Sequence, residues 1–69
     1  MTHYRVCMIK AETHEIVNFF KFDNKEDAEH YAKNQSTADS KHRYEVQKSN
    51  EGDFAIVKSY LNGKEVNSI

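Results

Sequence analysis

Apolar and polar residues alternate with a period of two along most of this chain, and that alternation is the pattern of strands packed on at least one face. From Tyr4 to Ile9 the side chains divide into Tyr4, Val6 and Met8 on one side and Arg5, Cys7 and Ile9 on the other. Their β-branched and aromatic content favours a strand over so short a helix. Ala11-Glu12-Thr13-His14 predicts a four-residue hairpin connection into a second strand from Glu15 to about Phe22. In that strand Ile16, Phe20 and Phe22 share one face, and Val17 and Phe19 share the other.

The period then changes. Asp23 and Asn24 are N-cap candidates, Glu26 and Asp27 suit the positive end of a helix dipole, and Ala28, Tyr31 and Ala32 fall at i, i+3, i+4. A helix from about Lys25 to Gln35 follows, with oppositely charged pairs Lys25/Glu29 and Glu29/Lys33 on its exposed side. The polar run Asn34 to Lys41 predicts a long loop. From His42 to Lys48, Tyr44 and Val46 oppose Arg43, Glu45 and Gln47, which is the pattern of an amphipathic strand with one wet face. Ser49 to Asp53 is a turn containing Gly52. Phe54 to Leu61 predicts a further strand, with Phe54, Ile56 and Tyr60 on one side and Ala55, Val57 and Leu61 on the other. Asn62-Gly63 is the strongest hairpin signal in the chain, so Lys64 to Ile69 folds back as a last short strand. The predicted fold is α+β: a small antiparallel sheet of four to five strands with one helix on one face, in the order β-β-α-β-β-β, forming a single domain over residues 1–69.

One helix with a stripe of two alanines and a tyrosine covers part of one sheet face. Val17, Phe19, Cys7, Ile9, Val57 and Leu61 then stand on the opposite face, and monomers rarely leave large contiguous apolar patches in water. Either the sheet curls and the Gln35 to Lys41 loop covers that face, or a partner does. The second option makes Ile9, Val17, Phe19, Val57, Tyr60 and Leu61 the candidate protein-binding residues and a homodimer the expected assembly. An open strand edge offers a further contact through main-chain hydrogen bonds.

Composition narrows the function classes. At 69 residues the chain supports one small core, and below roughly 70–80 residues such cores need staples or partners. Cys7 is the only cysteine, so no disulfide forms within the chain and a cytoplasmic, reducing setting is expected. The N-terminal stretch, interrupted by Arg5 and Lys10, reads as mature structure and not as a secretory signal, and no window is apolar enough to span a membrane. A formal net charge of −1 is neither the footprint of a nucleic-acid binder nor that of an acidic mimic.

No catalytic or ligand motif stands out. His3, His14, His30 and His42 are widely spaced, Cys7 has no CxxC partner, and neither HxxxH nor HExxH occurs, so no metal and no cofactor is expected. Cys7 lies within an apolar strand as a small hydrophobe, without a neighbouring base to make it a nucleophile. The turn before the helix lacks the glycines of a phosphate cradle and carries Asp23. Single-stranded nucleic-acid binding is the alternative, with strand aromatics as stacking platforms and Lys41, Arg43 and Lys48 as phosphate contacts. In size and composition the chain resembles the small bacterial or phage-borne proteins that inhibit or adapt larger machines; no residue motif carries the likeness. The expected function is that of a non-enzymatic protein-binding module.

Overall fold

The computed structural model describes residues 3–66. It has strands β1 (His3–Lys10), β2 (Ile16–Phe22), β3 (His42–Asn50), β4 (Asp53–Leu61) and β5 (Lys64–Val66), with helix α1 (Lys25–Ala38) between β2 and β3. The strands form one antiparallel sheet in the spatial order β2-β1-β3-β4-β5. This is the predicted α+β arrangement, in the predicted order β-β-α-β-β-β. The continuation of the last strand to Ile69 falls on residues 67–69, outside the described residues. No helix among the described residues is long and apolar enough to cross a membrane.

β1 lies between β2 and β3 and is antiparallel to both, so α1 is the crossover that carries the chain past β1. Asn24 caps the helix, its side-chain oxygen accepting from the Asp27 N–H at 2.8 Å. Ala28 and Ala32 are fully buried, and their small side chains let α1 lie close on Val6, Tyr44, Val46 and Tyr60. Tyr4, Met8, Phe22, Tyr31 and Val57 ring this core. The Tyr31 ring rests against both Phe20 and Phe22, at centroid distances of 5.2 and 5.3 Å. Complete burial of side chains such as Val6 and Val46 contributes roughly 1.5–3 kcal/mol each.

The helix runs to Ala38 instead of ending near Gln35, so the predicted long loop is absent. Two hydroxyls explain the extension. Ser36 Oγ donates to the Lys33 carbonyl at 2.9 Å and accepts the Gly63 N–H at 3.0 Å, while Thr37 Oγ1 donates to the same Lys33 carbonyl. Polar residues that read as a loop are thereby satisfied inside a helix, against the β4–β5 turn.

Two register shifts also depart from strict alternation. Met8 pairs with Asn18 and Ile9 with Ile16, which leaves Val17 as an extra residue on β2. Val46 pairs with Lys58 and Gln47 with Ile56, which leaves Val57 as an extra residue on β4. Each bulge shifts the faces beyond it by one residue. Ile16 therefore stands opposite Ile9, with Phe19 and not with Phe20 and Phe22. Tyr60 lies under the helix while Phe54 and Ile56 lie on the other side.

Both tight hairpins use left-handed residues, Glu51 and Gly52 at φ 54° and 96°, and Asn62 and Gly63 at φ 55° and 76°. Their glycines differ in surroundings: a methyl group on Gly52 would meet nothing within 4 Å, whereas one on Gly63 would run into the Thr37 hydroxyl. Gly52→Ala should therefore cost only the backbone penalty, about 1–2 kcal/mol, and Gly63→Ala should cost more. Urea denaturation will rank the two variants; equal losses would mean that the second hairpin is not held against α1.

Candidate functional site

The sheet face away from the helix carries the features that could do chemistry or bind. Its central strands are not wet. Glu45 and Gln47 on β3, expected on the solvated side, are buried, as are Ser59 on β4 and Cys7 and Ile9 on β1. The reason is position: β3 is flanked by β1 and β4, and the Arg5 side chain reaches from β1 across it to Phe54 on β4.

A buried carboxylate needs charge and hydrogen-bond partners. Glu45 Oε1 accepts from Gln47 Nε2 at 2.6 Å, Glu45 Oε2 accepts from Ser59 Oγ at 3.5 Å, and Arg43 Nη2 stands 3.5 Å from Glu45 Oε2. Gln47 Oε1 in turn accepts from Arg5 Nε at 2.7 Å. The Arg5 guanidinium then reaches over β3, its Cζ 3.5 Å from the Phe54 ring centre and 5.7 Å from that of Phe19. The chain's two arginines thus share this face, one at each end of a buried polar row.

Apolar side chains flank that row. Ile16, Val17, Phe19, Phe54 and Ile56 are 47–52 % exposed. Beside Arg5 a cleft of about 400 Å³ opens between Phe19 and Phe54, bordered by His3, Lys21 and Ser49. At the opposite end Leu61 and Val66 border a smaller hollow with His14 and Arg43.

Of the residues expected to bind protein, Phe19, Ile9 and Leu61 lie on this face, and Val17 stands at the β2 bulge; Ile9 is buried within it. Val57 and Tyr60 do not join them. The β4 bulge turns Tyr60 into the helix core and packs Val57 against it. Phe54 and Ile56 were missed because their placement depends on that bulge, which alternation alone does not reveal. Arg5 and the Glu45 row lie on the faces alternation gives them, and were missed because their burial and contacts depend on strands distant in sequence. Lys41, Arg43 and Lys48 do not line one track. Lys41 precedes β3, Arg43 is held beside Glu45, and Lys48 lies on the other side of the sheet, seven residues and roughly 23 Å along the strand from Lys41. Tyr44 and Tyr60, two of the candidate stacking aromatics, are under the helix.

Cys7 is fully buried, and burial pushes its thiol up, with Arg5 acting in the opposite direction and Glu45 adding to the rise. Among the described residues no three His, Cys, Asp or Glu side chains gather into a metal-binding group. A second polar cluster locks the turn between α1 and β3. Asp39 Oδ2 accepts from the Tyr44 hydroxyl at 3.1 Å and lies 2.8 Å from His42 Nδ1, while Asp39 Oδ1 accepts the Lys41 N–H at 3.1 Å. Burial, then the bond to Asp39, pushes the Tyr44 hydroxyl up to about 12.

No family model, no curated protein and no solved structure matches this chain.

Partial burial pushes the Asp39 carboxyl up, but the bonds from Lys41, His42 and Tyr44 outweigh it and hold the group below its ordinary value. A carboxyl depressed in the folded state stabilises the fold above its unfolded pKa, and that contribution is lost as pH falls through the lower folded value. Comparing urea midpoints of the parent and Asp39→Asn across pH should show the widest gap near neutrality, narrowing below about pH 4. A gap that stays constant down to pH 2 would contradict this.

Proposed function

We propose that this protein is a non-enzymatic binding module, an inhibitor or adaptor that acts by occupying a surface of a larger protein with its helix-free sheet face. The observation that carries the reading is the exposure of Ile16, Phe19, Phe54 and Ile56 on the side of the sheet that α1 leaves uncovered, with Val17 exposed at the β2 bulge beside them. Exposed apolar surface of this kind marks interaction sites in small soluble domains.

The arrangement matches the anatomy of interfaces. Aromatic anchors and Arg5 supply contact area, and the buried polar row between the apolar flanks holds Arg5 in place. No long loop is left to fold over the face, because residues 35–38 belong to the helix. Without its partner, the same apolar flanks cover one another in a homodimer. The unpaired, buried Cys7 fits a reducing cytoplasmic setting, and a bacterial or phage source suits a module of this size.

Phe19→Asp and Ile56→Asp place a charge on the flanks without touching the helix core. Light scattering coupled to size exclusion should give the parent chain a mass of about twice 8.1 kDa and each variant the monomer mass, with unchanged far-ultraviolet circular dichroism. Variants that unfold would make Phe19 and Ile56 ordinary core, and a parent that is monomeric at all concentrations would remove the homodimer from the proposal.

A further inference from the structure

The charges on the helix-free face are not balanced along it. Arg43 faces the Glu45 carboxylate, but Arg5 bonds only to the neutral side-chain oxygen of Gln47. Lys21 stands directly opposite Arg5 on β2, and like charges so placed repel across a strand pair. Neither Arg5 nor Lys21 makes an ion pair among the described residues. Asp23 touches the rim of the same cleft and pairs with neither. Two cations thus meet at the one place on the face where a cleft of about 400 Å³ opens between two half-exposed phenylalanines.

Taking the docking face as its basis, we infer that the Arg5 cleft is a carboxylate socket, which receives an Asp or Glu side chain, or a chain terminus, of a protein segment that is apolar on either side of the charge. A guanidinium presents a planar set of N–H donors suited to the two oxygens of a carboxylate. Here Nε is engaged by Gln47, and the ring of Phe54 lies against the guanidinium, so its orientation is set before a ligand arrives. Pre-setting a long side chain lowers the ordering cost of binding. Lys21 adds positive charge without geometric demand, and Phe19 and Phe54 offer apolar walls for the residues next to the carboxylate.

Charge placement favours an acidic protein segment over a nucleic acid. A phosphate backbone needs a track of cations, whereas Lys41 precedes the far end of β3, Lys48 belongs to the helix side of the sheet and Arg43 is committed to Glu45. One socket between apolar walls fits one carboxylate.

The test is a nuclear magnetic resonance titration of the full chain, diluted until monomeric, with the N-acetyl-phenylalanine anion as probe and N-acetyl-phenylalaninamide as its uncharged twin. The anion should move the Arg5 Nε–H signal and the Lys21, Phe19 and Phe54 amides to saturation, and the amide should bind about tenfold more weakly or less. Arg5→Gln should abolish the response. Lys21→Gln, on an exposed side chain, should weaken it several-fold and serves if Arg5→Gln does not fold. Equal responses to anion and amide, or none at the cleft, would overturn the socket, as would a thymidine oligonucleotide that moves these signals where the anion does not. If Phe19→Asp and Ile56→Asp abolish association while the anion leaves Arg5 unmoved, the face docks without a socket; if neither variant alters association, the docking reading itself falls.

Discussion

Burying the Glu45 carboxylate in the middle of a five-stranded sheet is the constraint on which the rest of the helix-free face depends. A carboxylate out of water is tolerated only when neutralised and hydrogen-bonded, and here Arg43, Gln47 and Ser59 supply those partners. Gln47 then has its oxygen free for Arg5, and Arg5 extends to Phe54. A continuous chain of polar contacts therefore crosses the centre of the face. That centre cannot serve as a second apolar core, and the apolar side chains are left at its flanks.

The helix side obeys a different rule. Ala28 and Ala32 bring α1 close to Val6 and Val46, and the tyrosines and phenylalanines around them fill the remaining space. Ser36 and Gly63 join the helix end to the β4–β5 turn, so the short β5 is held by the helix as well as by its neighbour β4. One face is thus a conventional core and the other a surface with a rigid, solvent-poor middle. The two bulges make the division possible, because the one at Val57 sends Tyr60 to the core and Phe54 and Ile56 to the surface, and the one at Val17 brings Ile16 beside Phe19.

Much of this was legible in the sequence. Period-two alternation located the first four strands, Asn62-Gly63 marked the last hairpin and with it β5, and the cap candidates Asp23 and Asn24 with Glu26 and Asp27 behind them marked the helix start. What was not legible depends on groups distant in sequence. Ser36 and Thr37 look like loop residues until the Lys33 carbonyl and the Gly63 amide are there to bond them. Glu45 and Gln47 look solvated until Arg5, Arg43 and Ser59 close over them. The bulges leave no local mark, since Val17 and Val57 are ordinary strand residues, and so the apolar surplus was recognised while Val57 was placed on the helix-free side, Phe54 and Ile56 were placed on the side of Tyr60, and Tyr60 was counted among the binding residues. The uncovered face was visible as an imbalance; the arginine and phenylalanine cluster that gives it chemical character was not.

The most direct test of the account is to map which surface becomes protected when the chain associates, by carbene photolabelling at high and low protein concentration with the modified residues located by mass spectrometry. The account predicts that association protects Ile16, Val17, Phe19, Phe54 and Ile56 and leaves the outer side of α1, at His30 and Lys33, labelled to the same extent. Protection of the helix surface with these five residues still labelled would contradict it.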